Sequence, residues 1–231
     1  MTTSYQPLAR GDAHAIAASF LPAHPLGNRW DYYYTRTKLG TDPLYPGVCD
    51  VLRGCNAPLL DMGCGLGLLA HTLRAAGLSM PYRGVDSDAA KIARARRVAA
   101  RAQLGDVAFD TVDLARVIPE HRGSVAILDV LQFIPEAAQV RAVDAAIAML
   151  APGARLVIRT GLADGSRRAR ITRAVDLFSR VVGWMHATPL QLPTAELLRS
   201  RFDAAGLQSE FIPLYGNTPF NNWRVVATRA G

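Results

Sequence analysis

Several things that this chain has little of narrow its possibilities at once. Of 231 residues only three are cysteine, Cys49, Cys55 and Cys64, and none forms a C-x-x-C pair. So odd and scattered a set argues against a disulfide framework and a zinc site, and fits a reducing cytosol. No window of about 18 apolar residues occurs, so no helix is expected to cross a bilayer. Met1 to Arg10 is polar and lacks the apolar core of a secretory signal. The expected location is therefore cytoplasmic. There is no internal repeat and no low-complexity linker, and 50% of the residues are hydrophobic, enough for one full-sized core. Acidic residues are scarce too, 19 against 26 Lys and Arg, which leaves a net charge of +7. Such a surface attracts something acidic, whether nucleic acid, an anionic membrane or an acidic protein.

What is present has a rhythm. Residues 1–57 read as broken helix: Asp12 starts a short one before Pro22, Asn28 caps a second from Trp30 to Leu39, and Leu44 to Leu52 offers a third after Pro43. From Pro58 the pattern alternates. Strands are expected near 58–62, 81–86, 107–112, 123–129 and 154–160, and helices near 66–76, 88–103 and 135–150, with an irregular connection near 114–121. Residues 161–192 read as an insertion. A helix from Thr194 to Ala205 and two strands near 208–215 and 222–229, joined through Gly216 to Pro219, end the chain. So short a connection demands an antiparallel pair. The expected fold is one α/β domain, a Rossmann-like doubly wound sheet of seven strands, mostly parallel, with an antiparallel C-terminal strand. Its parts are a helical lid (1–57), a cofactor-binding core (58–160), an insertion over the substrate (161–192) and a closing helix and hairpin (193–231).

The most informative stretch is Leu59-Leu60-Asp61-Met62-Gly63-Cys64-Gly65-Leu66-Gly67-Leu68. A buried strand ends at an acid, turns through glycines at every second position and enters a helix. Glycines there let backbone amides approach a ligand where a Cβ would collide. A dinucleotide fingerprint needs G-x-G-x-x-G/A, but here the third glycine comes one residue early. Asp61, two residues before Gly63, suits a ligand carrying an amine better than a pyrophosphate. At the end of the second strand, Asp86 can accept hydrogen bonds from both hydroxyls of a ribose, with Ser87 beside it; alternatively it starts the next helix.

D-x-G-C-G-x-G resembles motif I of class I S-adenosylmethionine-dependent methyltransferases. Other stretches fit the same family in order and spacing. Phe109-Asp110-Thr111-Val112-Asp113-Leu114 ends the third strand, where the family places an acid on the adenine amine and a backbone amide on the ring. Asp113 and Leu114 take those roles, with Asp110 as the second choice. Ala126 to Pro135 resembles motif IV and brings Asp129 and Val130 to the methyl-transfer centre. Met149-Leu150-Ala151-Pro152-Gly153-Ala154 resembles the L-x-P-G-G stretch that opens the fifth strand, with Ala154 in place of the second glycine. The resemblance implies a donor site for S-adenosyl-L-methionine, and S-adenosyl-L-homocysteine as product, made by Asp61, Gly63, Cys64, Gly65, Gly67, Asp86, Ser87, Asp113, Leu114, Asp129 and Val130.

The donor carries its own activation, so the protein mainly aligns an acceptor atom with it. A phenol, with a pKa near 10, needs a base or a positive field to react at neutral pH. His186, in the insertion, is the leading candidate for a base among five histidines, and His71 reads as structural. No metal-ligand cluster is visible, so a divalent-ion catechol mechanism is disfavoured. Asn28 to Lys38 gathers Trp30, Tyr32, Tyr33 and Tyr34 with Arg36 and Lys38, as a lid over donor and acceptor would. Tyr33 or Tyr34 is expected to stack or hydrogen-bond there, and Arg36 or Lys38 to meet the donor carboxylate.

The segments flanking that cluster resemble the N-terminal portion of small methyltransferases found with aryl polyene and related pigment-biosynthesis enzymes. This implies an aromatic or acyl acceptor, chiefly a hydroxyaryl group methylated on oxygen or ring carbon, in secondary metabolism and sometimes on an acyl carrier protein. Arg167, Arg168, Arg170, Arg173 and Arg180 punctuate an insertion helix whose Ile171, Val175, Phe178 and Val182 form an apolar face. Such a helix docks an acidic carrier protein, lies on an anionic membrane, or is a solvated lid. RNA methylation is a second reading, motivated by the charge, but there is no appended RNA-binding module and no N-P-P-[FY] motif; DNA is not expected. A cofactor-binding scaffold without turnover is the third.

Overall fold

The computed structural model describes residues 6–163, 191–214 and 221–229. Three helices lead in: α1 (Arg10–Ala18), α2 (Trp30–Thr41) and α3 (Leu44–Leu52). Asn28 is not the cap of α2, which is Arg29; it stands one residue earlier, its Oδ1 accepting the Trp30 N–H at 2.8 Å. Asp12 lies inside the first turn of α1 and does not start it. Pro46 does not weaken α3, because it sits in the first turn, where the missing N–H would have no intrahelical partner.

The core then alternates: β1 (Leu59–Met62), α4 (Leu68–Ala75), β2 (Tyr82–Asp86), α5 (Ala89–Arg101), β3 (Val107–Thr111), β4 (Ser124–Leu128), a 3₁₀ turn (Leu131–Phe133), α6 (Glu136–Met149) and β5 (Arg155–Gly161). Helix α4 begins two residues later than its apolar pattern, because Gly67 takes φ +74° as the N-cap. Asp88 caps α5 by accepting the N–H groups of Ala90 and Lys91. The β3–β4 crossover is irregular, as expected. After the insertion come α7 (Ala195–Ala204), capped by Thr194, then β6 (Leu207–Pro213) and β7 (Asn222–Arg229). The basic positions of the insertion, His186, and Gly216 to Pro219 lie outside the described residues.

The strands form one sheet in the order β3-β2-β1-β4-β5-β7-β6. Strands β1 to β5 run parallel, and β7 is antiparallel to both β5 and β6. Two apolar clusters follow. One joins α1 to α5 through residues such as Ile16, Leu39, Leu52, Leu73 and Ile92. The other joins α6 and α7 to the sheet through Val143, Ile147, Leu198 and Phe202. Because β1 and β4 are neighbours whose connections leave in opposite directions, a crevice opens at their C-terminal ends. Among the described residues, β3 has no neighbour on its outer side. There Arg96 turns back from α5 and its Nε donates to the Phe109 carbonyl at 2.8 Å.

Candidate active site

The crevice is floored by the turn after β1. Gly63 and Cys64 donate their N–H groups to the Val85 carbonyl at 2.7 and 2.9 Å, which bends the turn against the end of β2. Gly63 has φ +87°, and a Cβ there would run into the side chain of Val130. Gly65 has φ +55° with no atom within 4 Å of where its Cβ would stand, so the turn presents bare backbone to open space. Burial pushes the Cys64 thiol well above its ordinary pKa, so it stays protonated and takes no part as a nucleophile.

Asp61 lies beneath this turn, only 2% exposed. Its Oδ2 accepts the Tyr82 hydroxyl at 2.6 Å, while its Oδ1 is buried with no hydrogen-bond partner among the described residues. Burial pushes its pKa up to about 7; the Tyr82 hydrogen bond opposes the shift and the charge of Asp86 adds to it. A buried carboxylate oxygen without a donor is a place for a ligand's ammonium group. Asp86 is held by two backbone amides, Gly65 N–H on Oδ2 and Asp88 N–H on Oδ1, both at 2.9 Å. Each oxygen keeps a lone pair for a further donor, as a ribose requires. Ser87 beside it is exposed. Asp113 accepts the Ala115 N–H at 3.0 Å and pairs with Arg116, while the Leu114 side chain is buried in the core. Asp110 is occupied by Arg83 and Arg96.

At the ends of β4 and β5 the charges are paired. Arg159, 6% exposed, reaches both Asp42, at 3.2 Å, and Asp129. Lys38 reaches the same two carboxylates, Asp42 at 2.7 Å and Asp129 at 3.4 Å. Two cations and two anions thus join the α2–α3 segment to the sheet. Asp129 takes φ +60°, uncommon for a residue with a side chain. Burial opposes the charge on Lys38, but Asp129 and Asp42 outweigh it and hold its pKa above the ordinary value. At the other end of α2, Asp31 pairs with Arg94 of α5 at 3.1 Å. Asp31, Tyr34 and Lys38 follow helical spacing and share one flank, about 10 Å from first to last. That flank is fastened to α5 beside Asp86 and to β4 beside Asp129.

Residues 59–153 match the family described as Methyltransferase domain. The match covers about two fifths of the chain, the same stretch in which the sequence resembles class I S-adenosylmethionine-dependent methyltransferases. Solved structures share its fold. PhzM, described as a pyocyanin biosynthetic protein, superposes with a TM-score of 0.63 at 16% identity, over 95% of this chain and 62% of its own length. The magnesium protoporphyrin IX methyltransferase ChlM from Synechocystis PCC 6803, solved with bound SAH, gives 0.61 at 16% identity over 92% of both chains. The mitomycin 7-O-methyltransferase MmcR gives 0.61 at 20% identity, over 87% of this chain and 57% of its own. The chain therefore spans about three fifths of the length of PhzM. No curated protein sequence matches it.

The matched segment brings most of the residues expected to hold a donor to one crevice. Gly63, Cys64, Gly65 and Gly67 form its floor, Asp61 and Asp86 its polar groups, and Val130 packs over the glycine turn. The residues fit a donor with an ammonium and a ribose. Asp61 would hold the first, Asp86 and Ser87 the second, and Asp113 with the Leu114 amide the adenine.

On the lid the outcome is divided. Tyr33 is 52% exposed and lies edge-on to Tyr32, while the Tyr34 phenol is coupled to the charges of Lys38, Asp129, Asp42 and Arg159. Its phenol is lifted above its ordinary pKa by burial, against the opposing effect of Lys38, even though 40% of the residue stays exposed. Arg36 is exposed, and it is Lys38 that reaches Asp129. His71 is buried against Phe20 at 5.0 Å, and His121 hydrogen-bonds to the Ser124 carbonyl at 2.9 Å. Asp42, Tyr82 and Arg159 are absent from the residues that the sequence singles out. Arg159 left a signal, an arginine directly after the apolar run Leu156-Val157-Ile158, where burial demands acidic partners.

Proposed function

We propose that the chain is an enzyme that methylates a small hydroxyaryl acceptor, on oxygen or ring carbon, in secondary metabolism, acting as one cytoplasmic domain with residues 1–57 as its lid. The observation that carries this reading is the flank of α2: Tyr34 stands beside the end of β4, on a helix fastened across the crevice at Asp31 and Lys38. An aromatic wall at the methyl-transfer end suits a ring-bearing acceptor. The relatives in pyocyanin and mitomycin chemistry support the same class by analogy.

S-adenosylmethionine supplies a methyl group already activated by its sulfonium. The residues of the chain bind and orient. Asp61 holds an ammonium, Asp86 a pair of hydroxyls, and the turn at Gly65 leaves room for the ligand against bare backbone. Asp129, in a left-handed conformation and paired with Arg159 and Lys38, lies at the end of β4 on the acceptor side. A base at His186, the acyl carrier protein and any anionic membrane contact belong to the insertion, and are part of the proposal on sequence grounds alone.

The test is calorimetric titration with S-adenosylhomocysteine, with NAD as control, followed by labelled methyl transfer to hydroxyaryl compounds, free and carrier-linked. Micromolar binding of the first ligand alone and label in the aromatic product are expected. NAD binding, or label recovered only in RNA, would overturn the reading.

A further inference from the structure

The ammonium of Lys38 has three N–H donors, and two are directed to Asp42 and Asp129. Its side chain keeps 24% of its surface in contact with solvent. Arg159 adds a second cation and Asp42 and Asp129 two anions, so the cluster is neutral as a set. It offers a directed donor, not a broad positive field. Four residues earlier on the same flank stands Tyr34, one helical turn from Lys38. Among the described residues, Tyr45 and Asp61 are the further ionisable groups coupled to the cluster; burial lifts the Tyr45 phenol far above its ordinary value, so it stays neutral.

A donor N–H beside an aromatic wall matches an oxygen attached to a ring better than an aliphatic carboxylate. We propose that Lys38 binds the acceptor, its remaining N–H donating to the oxygen of a hydroxyaryl ligand and favouring the ionised form of that oxygen; this rests on the hydroxyaryl reading above. The ligand's proton passes to bulk water on binding, so no residue of the chain has to keep it. A charge-assisted hydrogen bond of this kind is stronger than a neutral one, which gives the preference for the ionised form. Asp42, Asp129 and Arg159 are positioning residues: they fix the ammonium and leave one direction open.

The probe is 4-nitrophenol, followed by its absorbance in the presence of the full chain saturated with S-adenosylhomocysteine. Nitrobenzene, which has the ring but no hydroxyl, is the control. In the wild type, bound nitrophenol should show the phenolate band at a pH below the free probe's own pKa. Lys38→Met should weaken nitrophenol binding at least tenfold, leave nitrobenzene and S-adenosylhomocysteine within twofold, and abolish the phenolate band. Lys38→Arg should restore part of it.

Equal nitrophenol binding by wild type and Lys38→Met would overturn the proposal alone. So would a tenfold loss of S-adenosylhomocysteine affinity, which would assign Lys38 to the donor carboxylate. Failure of both ring compounds to bind would overturn the hydroxyaryl reading beneath it, and failure of S-adenosylhomocysteine to bind would overturn the methyltransferase reading. If Lys38→Met does not fold, the wild-type spectrum decides: a neutral bound form overturns the assignment.

Discussion

Tyr82 donates its hydroxyl to one oxygen of Asp61 at 2.6 Å and leaves the other buried and bare. The arrangement ties donor binding to pH. Burial holds Asp61 at about pKa 7, above its ordinary value, so part of the free protein carries it protonated near neutrality. An ammonium ligand needs the ionised form. Affinity for S-adenosylhomocysteine should therefore rise as pH increases through about 7 and level off above it. Titrations from roughly pH 6 to pH 8 check this, and a flat profile would remove Asp61 from the amine site. Tyr82→Phe, which deletes the opposing hydrogen bond, should move the midpoint upward.

Asp86 provides a simpler test. Asp86→Ala should weaken S-adenosylhomocysteine binding by about 1–3 kcal/mol, because ribose hydroxyls lose a charged acceptor and Gly65 N–H loses its own. Unchanged affinity in a folded variant would place the ribose elsewhere.

Gly63 and Val130 should couple. A methyl group at Gly63 collides with Val130 and must adopt φ +87°, so Gly63→Ala should cost on the order of 2–4 kcal/mol in thermal unfolding. Val130→Ala in the same chain should recover the steric part and leave the backbone strain. Strict additivity of the two changes would contradict the contact.

His71 predicts the acid limb of stability. Burial lowers its pKa from 6.5 to about 4, so its contribution is present above about pH 6.5 and is lost as pH falls toward 4. The loss is on the order of 3 kcal/mol. Asp61 runs the other way: its raised pKa stabilises the free protein at low pH, an effect lost as pH rises through about 7. Melting temperatures of His71→Met against pH should fall less steeply on acidification than those of the wild type. Parallel curves would show that His71 does not titrate with folding.

The glycine turn and the acids of the crevice were legible because they are local. Strand, acid, glycine turn and helix lie within ten residues, and each obeys a spacing rule that one segment displays. The sheet was legible for a similar reason, most strands marking an end with glycine, proline or an acid. The charged cluster was not. Lys38 and Asp42 come from a helix end, Asp129 from the end of β4 and Arg159 from β5, and only the order of strands brings them together. The choice of Tyr34 over Tyr33, and of Lys38 over Arg36, depends on which flank of α2 is turned inward. A helix whose aromatic residues lie on several sides does not declare that in its sequence.

The contact between Arg96 and the Phe109 carbonyl bears on the excess of positive charge. An uncovered strand at the rim of a sheet is a template on which another chain can add itself, and β3 stands in that position. With its guanidinium folded over the rim, Arg96 makes a neighbour's strand displace a charged group before it can pair, and a second molecule carries the same net charge of +7. Part of the basic character therefore acts against strand addition between copies of the protein.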